Sequence, residues 1–158
     1  MLRLNNGNAF PALTLDTVPD GALSVAHYLS GHYGVVLMYR GSWCPYCNAQ
    51  LSAFARAKQK LDELGIRAVA LSVDDDATAA KLVEKHRLNF PVGYGVDADK
   101  IAAATGAYVN DSPRYLQSTG FVVDPSGKVI TAVYSSGAIG RLLPDDVIGF
   151  VGYVKSKT

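Results

Sequence analysis

The run Val35-Val-Leu-Met-Tyr39-Arg40-Gly-Ser-Trp43-Cys44-Pro45-Tyr46-Cys47 decides how this 158-residue chain folds. Its opening residues are apolar on both alternating faces, the pattern of a central strand covered by helices on either side. Beyond Cys47, Leu51, Phe54, Ala55, Lys58, Leu61 and Leu64 recur at three- and four-residue steps. That period predicts a helix from about Pro45 to Leu64, stopped by Gly65 at its C′ position. A C-x-x-C pair therefore falls where a strand gives way to a helix. Two cysteines scattered at random over this length would stand three residues apart roughly once in 80 cases, so the spacing argues for a local function.

Apolar strand-like runs and helical patterns go on alternating downstream, which is the mark of βαβ units around a partly parallel sheet. Ile66 to Val73 reads as a strand, and Asp74-Asp-Asp76 as the cap of a helix carrying Ala79, Leu82, Val83 and His86, closed by Asn89 and Pro91. A short strand near Pro91 to Val96 and a helix from Ala98 to Thr105, between Asp97 and Gly106, form an inserted βα unit. Phe121 to Asp124 and Lys128 to Tyr134 flank Pro125-Ser-Gly127, whose Pro and Gly suit a type I turn, so they predict an antiparallel hairpin. Val147, Ile148, Val151 and Val154 lie on one stripe of a final helix with Pro144 in its first turn. The first 33 residues are an N-terminal extension, with a short strand over Ala12 to Asp16 and one or two helical turns over Ser24 to Leu29 after a Pro19-Asp-Gly21 turn.

Composition bounds the function. The chain is 49% hydrophobic with 15 basic and 14 acidic residues. A chain of this size buries enough surface to fold without disulfides or structural metal, which leaves Cys44 and Cys47 free for chemistry. Near-neutral charge argues against a nucleic-acid or anionic-membrane partner. The residues Met1 to Phe10 lack the apolar core of a secretory signal, and no apolar run is long enough to span a bilayer. A single domain over 1–158 in a reducing, cytoplasmic compartment is expected.

At a helix start, unpaired N–H groups and the positive end of the macrodipole favour a thiolate, which makes Cys44 the nucleophile. Pro45 suits the first helical position. Cys47, one turn deeper, less exposed and less acidic, resolves the mixed disulfide. Trp43 and Tyr46 rim the pair, and Arg40 stands where it can add positive potential or simply lie on the surface. Zinc would need two more ligands; His27 and His32 have a usable spacing but precede the cysteines, so a non-enzymatic zinc or interaction module ranks last. Asp97 with Asp99, like the Asp74 to Asp76 run, reads as capping rather than as a cation site. His86 reads as structural.

These residues resemble the thioredoxin-like superfamily, and within it the AhpC/TSA (alkyl hydroperoxide reductase/thiol-specific antioxidant, peroxiredoxin-like) and redoxin branch. The similarity is carried by Ala9-Phe-Pro11, Leu13-Thr-Leu-Asp16, Val35 to Arg40, Trp43-Cys-Pro-Tyr-Cys47, Leu71-Ser-Val-Asp74, Phe90-Pro-Val92 and Thr119 to Lys128. The CPYC tetrad is also similar to the glutaredoxin site. The resemblance implies an α/β thioredoxin fold, a mixed central sheet flanked by helices, and an antioxidant oxidoreductase needing no cofactor.

Departures from the family pattern separate its activities. Peroxiredoxins place a Thr three residues before the reactive Cys and an Arg shortly before the hairpin; Gly41 and Ser118 stand there, with Arg40 or Arg114 as substitutes. Thioredoxin-type enzymes place a cis-proline before the hairpin and a buried acid in the strand; Ser118 or Thr119, and Met38, stand there. A hydroxyl at 118 or 119 is then expected to hydrogen-bond the Cys44 thiolate. The leading expectation is a thiol-disulfide oxidoreductase. The alternative is a thiol peroxidase that reduces hydroperoxides through a Cys44 sulfenate. Either needs an external thiol reductant of the thioredoxin, glutaredoxin or glutathione kind, and a homodimer is compatible with both. A Cys44 sulfur sealed in the interior would count against both readings.

Overall fold

The computed structural model describes residues 3–158. Met1 and Leu2, part of the stretch read for a secretory signal, lie outside the described residues.

The chain opens with β1 (Thr14–Val18), β2 (Gly21–Ser24) and α1 (Val25–Leu29), then β3 (Tyr33–Met38), α2 (Pro45–Arg56), α3 (Lys58–Glu63) and β4 (Ile66–Leu71). It continues through α4 (Asp76–His86), β5 (Val92–Tyr94), α5 (Ala98–Thr105), β6 (Val109–Asn110) and β7 (Tyr115–Leu116). The hairpin β8 (Thr119–Val123) and β9 (Val129–Tyr134) and the helix α6 (Pro144–Ser156) complete it. A seven-stranded sheet runs in the order β2-β1-β5-β4-β3-β8-β9. The pairs β3–β4 and β4–β5 are parallel, whereas β3–β8, β8–β9, β1–β2 and β1–β5 are antiparallel.

The alternation of β3 sorts its side chains between two cores. Val35, Leu37 and Tyr39 enter one cluster with Leu51 and Phe54 of α2, Leu82 of α4 and Val151 of α6. Val36 and Met38 enter the opposite cluster with Val25 and Leu29 of α1, Ile101 of α5 and Phe121 of β8. Cys44 and Cys47 belong to the first cluster, so the dithiol is anchored in the face that α2 buries.

Four sequence expectations are corrected. The long helix is two, because the Ala57 N–H is shared between the Ala53 and Phe54 carbonyls and the turn tightens there. The strand at Ile66 stops at Leu71; within the Asp74 to Asp76 run, Asp75 supplies the expected cap by accepting the Thr78 N–H at 2.8 Å, while Asp74 Oδ2 accepts from Ser42 N at 2.9 Å. The helix α4 ends at Arg87, whose φ of 51° is left-handed, rather than at Asn89 or Pro91. The strand β2 and the short β6–β7 ladder were not anticipated; β2 leaves most of its side chains exposed and so shows no apolar alternation.

Candidate active site

Strand β3 ends in the core, and a five-residue turn, Tyr39 to Trp43, delivers the chain to Cys44 as the N-cap of α2. Pro45 follows in the first turn, where its missing N–H costs nothing. The Cys44 Sγ accepts the Cys47 N–H at 3.3 Å, so a sulfur occupies the capping role that a hydroxyl or carboxylate usually fills. The Cys47 Sγ accepts the Arg40 N–H, also at 3.3 Å.

The Arg40 side chain folds back over the pair. Its Nη1 lies 3.8 Å from the Cys44 Sγ, Nε donates to Gln117 Oε1 at 3.0 Å and Nη2 to the Tyr115 hydroxyl at 2.9 Å. The guanidinium carbon also sits 4.9 Å from the Trp43 ring centre and 5.2 Å from that of Tyr115, and the two rings meet edge to face. Three donors and two aromatic faces thus fix a cation beside the sulfur.

A second guanidinium approaches from the segment between β9 and α6. Arg141 Nη1 donates to Gln50 Oε1 at 3.0 Å and Nη2 to the Ala138 carbonyl at 2.6 Å. Burial pushes the Cys44 thiol up, but hydrogen bonds from the Cys47 thiol and amide and from Arg40, with the charge of Arg141, outweigh it and leave Cys44 below an ordinary thiol. Burial and the contact with Cys44 push Cys47 up, against smaller opposing effects of the Arg40 amide and Arg141.

The expected difference in exposure is not found: both cysteines are 0% exposed. The cover over Cys44 includes Arg40, which itself reaches solvent, beside a Trp43 that is 54% exposed. The Arg40 guanidinium, in contact with the Cys44 sulfur, stands between it and solvent. Tyr46 is exposed to the same extent as Trp43.

Ser118 and Thr119 are buried at the start of β8, but the Thr119 hydroxyl donates to the Gln117 carbonyl at 3.1 Å instead of to a sulfur. The partners of Cys44 are Cys47 and Arg40, and the neighbouring residue that reaches the site is Gln117. Arg114 is likewise no substitute, since Asp99 and Asp111 engage its guanidinium at 2.6–3.0 Å. Gly41 follows from packing: the Trp43 indole lies against it so closely that a Cβ would collide with the ring.

Sequence reasoning missed Tyr115, Gln117 and Arg141, which arrive from segments far from the cysteines, and Gln50, one turn beyond Cys47 on α2; none has a motif of its own. His27 belongs to α1 and His32 Nδ1 lies 3.0 Å from the Ser30 carbonyl. Among the described residues no group of three or more His, Cys, Asp or Glu is gathered as a metal site would need. His86 Nδ1 lies 3.1 Å from the Ser52 hydroxyl, joining α4 to α2. No helix among the described residues is long and apolar enough to cross a membrane.

Sheet order and helix placement make this a thioredoxin-fold protein. The solved structures agree. A cysteine-to-serine mutant of peroxiredoxin 6 from Arenicola marina superimposes with a TM-score of 0.85 at 17% identity, covering 96% of this chain and 74% of that one. Peroxidoxin BcpB from Mycobacterium tuberculosis gives 0.83 at 18%, covering 96% and 99%. At such identities the likeness is one of fold. The AhpC/TSA family model matches residues 6–132, and the chain belongs to that family. A peroxiredoxin of Treponema denticola is 28% identical over 145 residues, 89% of this chain and 69% of its own length. A putative peroxiredoxin of Mycobacterium tuberculosis is 29% identical over 147 residues, 89% and 91% of the two chains. The chain spans 65% of a similar peroxiredoxin from Chlorobaculum tepidum.

Proposed function

We propose that this chain is a thiol peroxidase that reduces hydroperoxides through Cys44 and closes a Cys44–Cys47 disulfide, which an external thiol reductant reopens. The observation that carries the reading is the Cys44 sulfur at the head of α2, with the Cys47 amide at 3.3 Å and the Arg40 guanidinium at 3.8 Å. Family membership and the peroxiredoxin relatives favour hydroperoxide over disulfide as the substrate, reversing the order expected from the sequence.

In the first step the Cys44 thiolate attacks the terminal peroxide oxygen, the O–O bond breaks, and the departing alkoxide or hydroxide takes a proton to leave as alcohol or water. Among the described residues Arg40 is the one cation hydrogen-bonded to the sulfur, so it steadies the charge on the thiolate and on the oxygens in flight. It thereby takes the part that a Thr at 41 and an Arg at 118 play elsewhere in the family. In the second step Cys47 attacks the sulfenic sulfur, displacing hydroxide, which is protonated to water.

Rapid mixing of reduced protein with hydrogen peroxide, followed by the fluorescence of its single tryptophan, Trp43, tests this. Wild type should show an oxidation phase well faster than free cysteine, and Cys44→Ser none. Oxidation no faster than free cysteine refutes it. Disulfide exchange is the second reading, favoured by the pairing of both sulfurs within one helical turn; insulin reduction at equal rates by wild type and Cys44→Ser removes it.

A further inference from the structure

The segment 135–143 is held across α2 by one side chain. Gln50, buried and one turn beyond Cys47, donates its Nε2 to the Leu142 carbonyl at 2.8 Å and accepts from Arg141 Nη1 through Oε1. With Nη2 tied to Ala138, both ends of the Arg141 guanidinium are fixed, while its Nε–H is buried without a hydrogen-bond partner among the described residues. A buried unpaired donor on a charged group is costly, so its retention calls for a partner that forms in another state of the site.

The groups that act on Cys47 are Cys44 on its own helix, Arg40 just after β3, and Arg141 from this segment; Tyr39 in turn feels the charges of Asp74, whose carboxylate accepts the Ser42 N–H, and of Cys47. No carboxylate is among the described groups that act on Cys47 itself. The base that thioredoxin-type sites would put in the strand is replaced by Met38, which points into the opposite core. A thiol surrounded in this way is made nucleophilic by holding its anion rather than by a neighbouring base.

We infer that Arg141 is the thiolate partner of Cys47, its fixed guanidinium receiving the Cys47 sulfur as it ionises and so setting the rate of the second step. The assignment rests on the dithiol reading above but not on the identity of the first substrate. Cys47 gives its proton to solvent, and its thiolate attacks the Cys44 sulfur. The S–S bond forms while the Cys44 bond to oxygen or to a foreign sulfur breaks, and the departing group leaves with the electron pair. Arg40 serves the first step and Arg141 the second.

The test uses the aromatic disulfide dithiobis(nitrobenzoate), because each step releases one coloured thiolate: the first when Cys44 attacks the reagent, the second when Cys47 attacks the mixed disulfide. In Arg141→Met the second release should slow about tenfold or more while the first changes far less, and Arg141→Lys, which keeps the charge, should recover most of the loss. The deficit in Arg141→Met should shrink as pH rises and Cys47 ionises unaided. A second release within about twofold of wild type in Arg141→Met overturns the inference, since a charge-assisted hydrogen bond is worth more than that. Equal slowing of both releases with no recovery by Lys also overturns it and leaves Arg141 a purely structural clamp. Should exchange behave as described while peroxide leaves Cys44 unoxidised, the peroxidase reading falls and the Arg141 assignment stands.

Discussion

At residue scale the position that serves both sulfurs is Arg40. Its backbone N–H serves Cys47, its guanidinium serves Cys44, and Gln117 and Tyr115 hold it in place. Replacing it with Met keeps the backbone donor and removes the cation. Cys44 then rises toward an ordinary thiol, so its thiolate persists over a narrower range and the acid limb of its reactivity moves to higher pH. At pH 7 peroxide oxidation should fall by about tenfold or more, the worth of one charge-assisted hydrogen bond. A pH series of alkylation rates for wild type and Arg40→Met checks the sign, and an unmoved limb contradicts it. The sequence made Cys44, Cys47 and Pro45 legible because a helix cap and its first turn are contiguous, and it left Arg40 balanced between surface and site. Nothing in the spacing could show that the side chain turns inward, since that depends on acceptors 75 and 77 residues away.

Among the elements, those with a chemical start or stop were readable. Asp97 caps α5 by accepting from the Asp99 and Lys100 amides at 3.0 and 3.2 Å, and Gly106 ends it with a φ of 88°. Asp97→Ala should therefore cost about 1 kcal/mol and Asp97→Asn much less, as urea unfolding can measure. The turn of the β8–β9 hairpin is closed by Asp124, which accepts from Ser126 and Lys128. Burial pushes that carboxyl up, but these hydrogen bonds outweigh it and hold it below the usual range. Because its native value is depressed, the stabilisation it gives is present at neutral pH and is lost as pH falls through that value. Asp124→Asn should accordingly show a shallower acid limb of stability than wild type. Elements without such signals were lost: β2 is mostly exposed, and the break at Ala57 is a local tightening inside an unbroken apolar period.

For the whole molecule, the sheet divides the interior into a face that carries the dithiol and a face that does not. Phe54 packs with Cys44 and Cys47 on the first, and Phe121 on the second with Phe10 and Tyr134 at 5.3 and 5.6 Å between ring centres. Both phenylalanines are 0% exposed, so truncating either to Ala should cost about 3–5 kcal/mol in urea unfolding. Their effects on chemistry should differ. Phe121→Ala leaves the acidity of Cys44 in place, while Phe54→Ala loosens α2 beneath the sulfurs and weakens it; alkylation rates separate the two. The two-layer plan was readable from alternation in Val35 to Tyr39, but the convergence of residues 40, 50, 117 and 141 was not, because no period links them.

The clamp of Gln50 to Arg141 and Leu142 spans 91 and 92 residues. During synthesis the ribosome releases both thiols long before the segment that lies beside them, so a nascent chain ending near Tyr134 carries its cysteines without the second cation. Translation thus delays full assembly of the dithiol centre until the chain has been made through Leu142.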